Sequence, residues 1–306
     1  INSGDRILVE APTYLGALQA FNSYEARYLS VPLDGDGLRV DRLEEELRSG
    51  PKFLYVLPNF HNPAGTTLPE ARRNRVVELA SHYGVPILED DPYGQLRYEG
   101  EHQPPLVEID SEYHGERSGK AAAGGRFRGG VIYLSSLSKT LAPGLRIAWV
   151  VAPTDVIGRL VQIKQGADLH TSTFNQMVAY ETARGGFLDQ HVKVLRDFYR
   201  LRRDAMLDAL QRYMPDSVEW TRPQGGLFLW LTLPEGDLSK VGAAAILQEA
   251  VKSKVVFVPG SAFYPGPSAD GRGERSMRLN FSYCTPEIID VGIRRLSEVV
   301  ARALGA

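Results

Sequence analysis

VIYLSSLSKTLAPGLR, residues 131–146, runs a short apolar strand directly into a polar loop that carries Lys139. The VIYL segment is a compact β-branched and aromatic run of the kind found in strands covered on both faces. Ser136, Ser138 and Arg146 surround the lysine in sequence. An ammonium held at the end of a buried strand is costly to desolvate, which favours the neutral amine that condenses with an aldehyde. Hydroxyl donors and a guanidinium within a few residues suit a phosphate dianion. From spacing alone, the commoner reading of a lysine flanked by serines is an exposed loop residue.

Working outward, similar apolar runs recur at 7–9, 28–32, 53–57, 86–89 and 147–151, with amphipathic stretches between them. In residues 70–83, Val76, Val77, Leu79 and Ala80 supply the apolar positions, and Arg72, Arg73 and Arg75 are expected to lie toward water. This alternation predicts an α/β domain with a mainly parallel sheet and helices on both faces, whose sites gather at the carboxyl ends of strands. A long helical pattern at 188–213 then leads to short strands at 218–221 and 227–233, a helix near 240–253, two more short strands and a terminal helix at 286–304. The expected division is a large domain, 1–186, and a smaller α+β domain, 187–306, that begins with the linking helix. The segment 110–130 breaks the rhythm with six glycines and with Arg117, Lys120, Arg126 and Arg128, and is expected to be an exposed, mobile loop.

Composition narrows the function classes. With 43% hydrophobic and 24% charged residues, the 306-residue chain has ordinary globular proportions. Thirty-five basic against 37 acidic side chains give a formal charge of -2, so no global field draws it to nucleic acid or to an anionic membrane. Cys284 is the single cysteine, which excludes an intramolecular disulfide and fits a reducing cytoplasm. The sequence has neither an apolar run near the length of a membrane span nor a signal-like leader. Its histidines lack the HExxH spacing, and GERSGKA around Lys120 misses the P-loop pattern, so neither metal catalysis nor nucleotide hydrolysis is expected.

Four further segments bear chemistry. Tyr14, in APTYLGAL, follows the first strand, where a buried aromatic either packs in the core or stacks on a flat heteroaromatic ring. Asn62, in PNFHNPAG, has an amide that donates to a phenolate oxygen, although Asn before Pro is also ordinary turn chemistry. ILEDDPYG carries Asp90, Asp91 and Tyr93. A carboxylate beneath a pyridine nitrogen keeps that nitrogen protonated, while two adjacent acids equally suit helix capping or metal binding. Arg278, in MRLNFS, is a guanidinium in an apolar strand and needs a partner, either a substrate carboxylate or a structural carboxylate. Arg275 is assigned to a polar loop, and His170 receives no catalytic role.

SSLSKTLAPGLR, PNFHNPAG, ILEDDPYG and RPQGGLFLW together resemble the motifs of fold-type I pyridoxal-phosphate enzymes, specifically class I and II aminotransferases. KQGADLHTSTFNQ and TRPQGG are similar to segments of the 2-aminoadipate and kynurenine-type subgroup. The resemblance implies pyridoxal 5'-phosphate as cofactor, held by Lys139, with Ser136 and Arg146 on its phosphate and Ser138 as a further hydroxyl donor. It places Tyr14 against the ring, Asn62 and Tyr93 at the ring oxygen, Asp90 at the ring nitrogen, and Arg278 with Asn62 on the substrate carboxylate. The implied activity moves an amino group from an L-amino acid of 2-aminoadipate, glutamate, aromatic or branched-chain type to a 2-oxo acid, with 2-oxoglutarate the expected acceptor. The implied assembly is a cytoplasmic homodimer. Members of the family carry a longer amino-terminal part than a chain starting at Ile1, so an upstream segment is expected. Two alternatives share these motifs: the ligand-sensing domain of a transcription regulator, and a pyridoxal-phosphate-dependent lyase.

Overall fold

The computed structural model describes residues 1–118, 129–236, 242–268 and 270–305. Its larger sheet runs, in spatial order, β3 (Gly37–Leu38), β2 (Arg27–Asp34), β1 (Arg6–Ala11), β4 (Leu54–Val56), β5 (Ile87–Asp90), β6 (Val131–Ser136) and β7 (Ala148–Val151). The five central strands are parallel, and β3 and β7 are antiparallel edges. In β1, RILVEA, Leu8 joins the core on one face while Ile7 and Val9 join the other, all three fully buried. Helices α2 (Val40–Arg48), α3 (Glu70–Tyr83) and α4 (Leu106–Ser118) bury Leu43, Leu47, Val76, Val77 and Leu106 against the Leu8 face. Helix α1 (Leu15–Asn22) brings Ala17 and Phe21 to the opposite face. Because β1 pairs with β2 on one side and β4 on the other, the chain reverses its direction of travel there. Open α/β sheets form their ligand crevice at such a point, outside the carboxyl ends of the strands.

The remaining α-helices among the described residues are α5 (Thr154–Ala167), α6 (Thr173–Ala183), α7 (Phe187–Tyr213), α8 (Ala243–Lys252), α9 (Arg272–Arg275) and α10 (Pro286–Leu304). A second, antiparallel sheet contains β10 (Val258–Pro259), β11 (Ser276–Asn280), β9 (Phe228–Thr232) and β8 (Glu219–Trp220), in that order. Leu229, Leu231, Met277 and Leu279 from its strands form a separate core with Met206 and Leu210 of α7 and Ile289, Ile293 and Leu296 of α10. Helix α10 has both sequence signals of a well-bounded helix, a Thr285 hydroxyl accepting the Ile288 N–H ahead of Pro286, and a left-handed Gly305 at its end. Among the described residues, no helix is long and apolar enough to cross a membrane.

Three expectations need correction. Arg73 does not face water: it is fully buried, and its guanidinium donates to the carbonyls of Leu68, Pro104 and Pro58 and to Asn59 Oδ1 at 2.6–3.0 Å. Those acceptors converge on α3 from outside the helix, so helical periodicity alone does not reveal them. Residues 110–118 belong to α4, not to a loop, because Leu106 and Ile109 are buried and Asp110 accepts the Val131 N–H at 3.0 Å. The Arg117 side chain, Lys120, Arg126 and Arg128 lie outside the described residues, as does Lys240. Arg275 is not in an exposed polar loop but buried at the end of α9, donating to the Leu233 carbonyl at 3.1 Å.

Candidate active site

Four neighbouring parallel strands each lead into one candidate residue at the carboxyl edge. Tyr14 follows β1, Asn62 follows β4, Asp90 ends β5, and half-buried Lys139 lies in the turn after β6. Asp90 pairs in register with Leu134, and Ser135 Oγ donates to the Asp91 carbonyl at 2.8 Å, which fastens the lysine loop to the aspartate strand. The loop closes through the Leu137 N–H on the Ile147 carbonyl at 3.0 Å, and the Ser138 N–H donates to Ser136 Oγ at 3.2 Å. Arg146 adopts a left-handed backbone with φ of 55°, donates to the Pro143 carbonyl at 3.2 Å and remains exposed.

The two adjacent acids have different surroundings. Asp91 is engaged in the turn, with Oδ1 accepting the Gly94 N–H at 2.8 Å and Oδ2 accepting the Tyr133 hydroxyl at 3.2 Å. Asp90 accepts the Tyr55 hydroxyl on Oδ2 at 2.6 Å and stays partly exposed. Burial pushes the Asp90 carboxyl above the usual carboxylate range, opposed by the Tyr55 hydrogen bond and reinforced by the charge of Asp91. Tyr55 is 2% exposed, and burial followed by the charge of Asp90 raises its phenol far above normal, so it donates as a neutral hydroxyl. Of the pair, Asp90 is the acid with a side left open. Among the described residues, no group of three or more His, Cys, Asp or Glu is placed to hold a metal ion.

Arg278 reaches this edge from β11 of the smaller sheet. One of its terminal nitrogens donates to Asn62 Oδ1 at 2.8 Å, and the guanidinium carbon lies 4.2 Å from the Phe228 ring centre and 5.0 Å from that of Phe263. Its Nε is buried without a hydrogen-bond partner, and among the described residues no carboxylate lies within salt-bridge range of it. Burial lowers its pKa, with the nearby phenols of Tyr93 and Tyr14 acting in the opposite direction. Tyr93 is 4% exposed and meets Phe228 edge-on at 5.9 Å. Burial raises its phenol, and Arg278 and an Asn62 hydrogen bond pull it back. Tyr14 is 38% exposed, contrary to the expectation of a buried ring. Its phenol lies over Gly16, where a Cβ would stand 2.5 Å from Tyr14 Cζ.

Tyr55, Asn59 and the buried pair Glu10 and His61 were not singled out from sequence. The available signal was a phenol in the otherwise apolar strand FLYVL, since a buried hydroxyl needs a partner. Phe228 and Phe263 give no such signal, because apolar side chains in short strands are read as core.

The class I and II aminotransferase family model matches residues 1–296. The chain belongs to this family. It is 46% identical over 306 residues to aromatic-amino-acid aminotransferase 1 of Thermococcus litoralis, covering 98% of this chain and 68% of that protein. The multiple substrate aminotransferase of Thermococcus profundus superposes with a TM-score of 0.89 at 43% identity, covering 100% of this chain and 71% of that one. The α-aminoadipate aminotransferase of Thermus thermophilus, solved with N-(5'-phosphopyridoxyl)-L-leucine, gives a TM-score of 0.88 at 38% identity, covering 100% and 73%. The protein is thus a pyridoxal-phosphate-dependent aminotransferase of fold type I. The residues at the carboxyl edge fit that cofactor: a carboxylate open on one side, an amine after the next strand, serine hydroxyls, an exposed guanidinium and an aromatic face.

Proposed function

We propose that this aminotransferase takes the amino group from an L-amino acid of the aromatic or 2-aminoadipate class, with glutamate and branched-chain amino acids as further donors, and passes it to 2-oxoglutarate. The names of its relatives support these classes: an aromatic-amino-acid, a multiple substrate and an α-aminoadipate aminotransferase. The observation that carries the reading is Arg278, a guanidinium in an aromatic setting with one donor on Asn62 and no carboxylate partner among the described residues. A substrate α-carboxylate supplies the missing partner in bidentate fashion.

Pyridoxal phosphate, when bound, supplies an electrophilic carbon and a ring that accepts electrons. In the proposed division of labour, Lys139 holds the cofactor and its Nζ moves the substrate α-proton. Asp90 faces the ring nitrogen and keeps it protonated, while Asn62 and Tyr93 donate to the ring oxygen. Tyr14 covers the ring face, and Ser136, Ser138 and Arg146 grip the phosphate. Arg278 and Asn62 orient the carboxylate of donor and acceptor in turn. The same proposal divides the chain at 186/187, where α7 begins, and makes the enzyme a cytoplasmic homodimer. Phe174 at 74%, Ile163 at 67% and Leu201 at 64% exposure, on α6, α5 and α7, support a covered face.

A panel of amino donors against 2-oxoglutarate tests the reading. Parallel double-reciprocal plots, with aromatic and 2-aminoadipate donors preferred, are expected. Pyruvate and ammonia released from a β-substituted amino acid without any acceptor would mark a lyase instead.

A further inference from the structure

Asn62 sits in a turn whose construction depends on two buried residues that no role above uses. His61 is 1% exposed and Glu10, near the end of β1, is 2% exposed. His61 holds its turn three times: its N–H donates to the Thr66 carbonyl at 2.8 Å, its carbonyl accepts the Gly65 N–H at 2.6 Å, and its ring Nδ1 accepts the Ala64 N–H at 3.2 Å. An Nδ1 that accepts a backbone N–H carries no proton, so the imidazole is neutral and its proton is on Nε2. Nε2 is buried without a hydrogen-bond partner but lies 3.2 Å from Glu10 Oε2, and that same oxygen accepts the Leu57 N–H at 2.8 Å. Glu10 therefore joins the end of β1 to the segment leaving β4, and His61, packed against its carboxylate, braces the turn across Asn62 to Ala64.

We infer that Glu10 and His61 are positioning residues for the substrate carboxylate: together they fix the turn that presents Asn62 Oδ1 to Arg278. The inference rests on the proposed reading of Asn62 and Arg278 as the carboxylate site. Neither residue touches the substrate. Their effect passes through the 2.8 Å bond between Arg278 and Asn62. Loosening the turn lets the two donors drift apart, which weakens binding of every carboxylate ligand while leaving the proton transfer at Lys139 in place.

The choice of substitutions follows from the acceptor and the donor that the ring carries, of which Nδ1 accepts the Ala64 N–H. A glutamine amide offers one acceptor and one donor, as the neutral imidazole does, and leucine offers neither. In the pyridoxal-phosphate-loaded enzyme, His61→Leu and Glu10→Ala are expected to raise KM for amino donor and 2-oxo acid about tenfold, with kcat within about threefold. The dissociation constant of 3-phenylpropionate, which carries the carboxylate without an amine, should rise by the same factor. His61→Gln should restore both to within about threefold of the parent. A residue with a purely structural role would instead lower the yield of folded enzyme and leave KM unchanged. Asn62→Ala is the reference. If it leaves KM and 3-phenylpropionate binding unaltered, the carboxylate site itself is wrongly assigned. If Asn62→Ala weakens both while folded His61→Leu or Glu10→Ala does not, the positioning role is overturned. A tenfold rise in His61→Gln would overturn it too, and that variant decides the matter if the other two fail to fold.

Discussion

Arg278 and Asp90 are each left with one unmet demand, and those demands define the chemistry at the level of single residues. A guanidinium removed from water and placed against two aromatic rings is costly unless an anion completes its hydrogen bonds. Replacing Arg278 with Met should raise KM for donor and acceptor roughly a hundredfold, the usual consequence of losing one member of a desolvated charge pair, with a smaller change in kcat. An unchanged KM would remove Arg278 from the carboxylate site. Asp90→Asn retains the shape of the side chain and its contact with Tyr55 but no longer carries a negative charge. Turnover is expected to fall roughly 100- to 1000-fold while some cofactor binding remains, measured by single-turnover kinetics and equilibrium dialysis. Wild-type turnover would exclude the charge from the mechanism. The placement of Lys139, Asn62 and Asp90 at strand ends was legible because each follows an apolar run, whereas the roles proposed for them came from the family resemblance. Choosing Asp90 over Asp91 required the family resemblance. The physical difference, a turn that consumes the Asp91 oxygens, exists only after the chain has folded.

At the scale of elements, α3 and α4 are held against the sheet by buried polar side chains as well as by apolar packing. Arg73 binds α3 to the segment that carries Asn59 and Asn62, and burial pulls its own pKa down to about 10. Arg73→Leu leaves the carbonyls of Leu68, Pro104 and Pro58 without their donor and should cost on the order of 3 kcal/mol in chemical denaturation. A loss below about 0.5 kcal/mol would mean that the burial is incidental. Glu89 acts at the start of α4, its oxygens accepting the N–H groups of Leu106 and Val107 at 2.9 and 3.0 Å. Burial pushes Glu89 from 4.5 up to about 8, against the pull of those two donors and of Arg73. The folded chain therefore keeps a proton that the unfolded chain releases above about pH 4.5, and the stability from this residue falls as pH rises toward about 8, then levels. Glu89→Gln cannot titrate, so the unfolding free energy of the parent minus that of the variant should decline between pH 5 and 8. A constant difference would contradict this assignment. Helix α4 also marks where composition misled: a glycine- and charge-rich segment reads as loop, yet Ile109 and Asp110 bind its first turns to the sheet.

For the whole molecule, the alternation of apolar runs and amphipathic stretches was enough to establish a mainly parallel sheet with helices on both faces and a second, smaller sheet. It did not reveal that the two sheets meet at the site, because that junction rests on contacts distant in sequence, among them Phe60 and Tyr93 packed against Leu227 and Phe228. Arg278 reaches Asn62 across 216 residues, and the Thr13 N–H donates to the Phe263 carbonyl at 2.8 Å. Everything proposed for the carboxyl edge depends on Lys139 being the residue that carries the cofactor. The most direct measurement incubates the protein with pyridoxal phosphate, reduces it with borohydride, digests it and maps the modified peptide by mass spectrometry. The reduced cofactor should appear on the peptide containing Lys139, and should be absent from that peptide in Lys139→Ala together with all amino transfer. A cofactor mass located on another lysine, or transfer that persists in Lys139→Ala, would contradict the account.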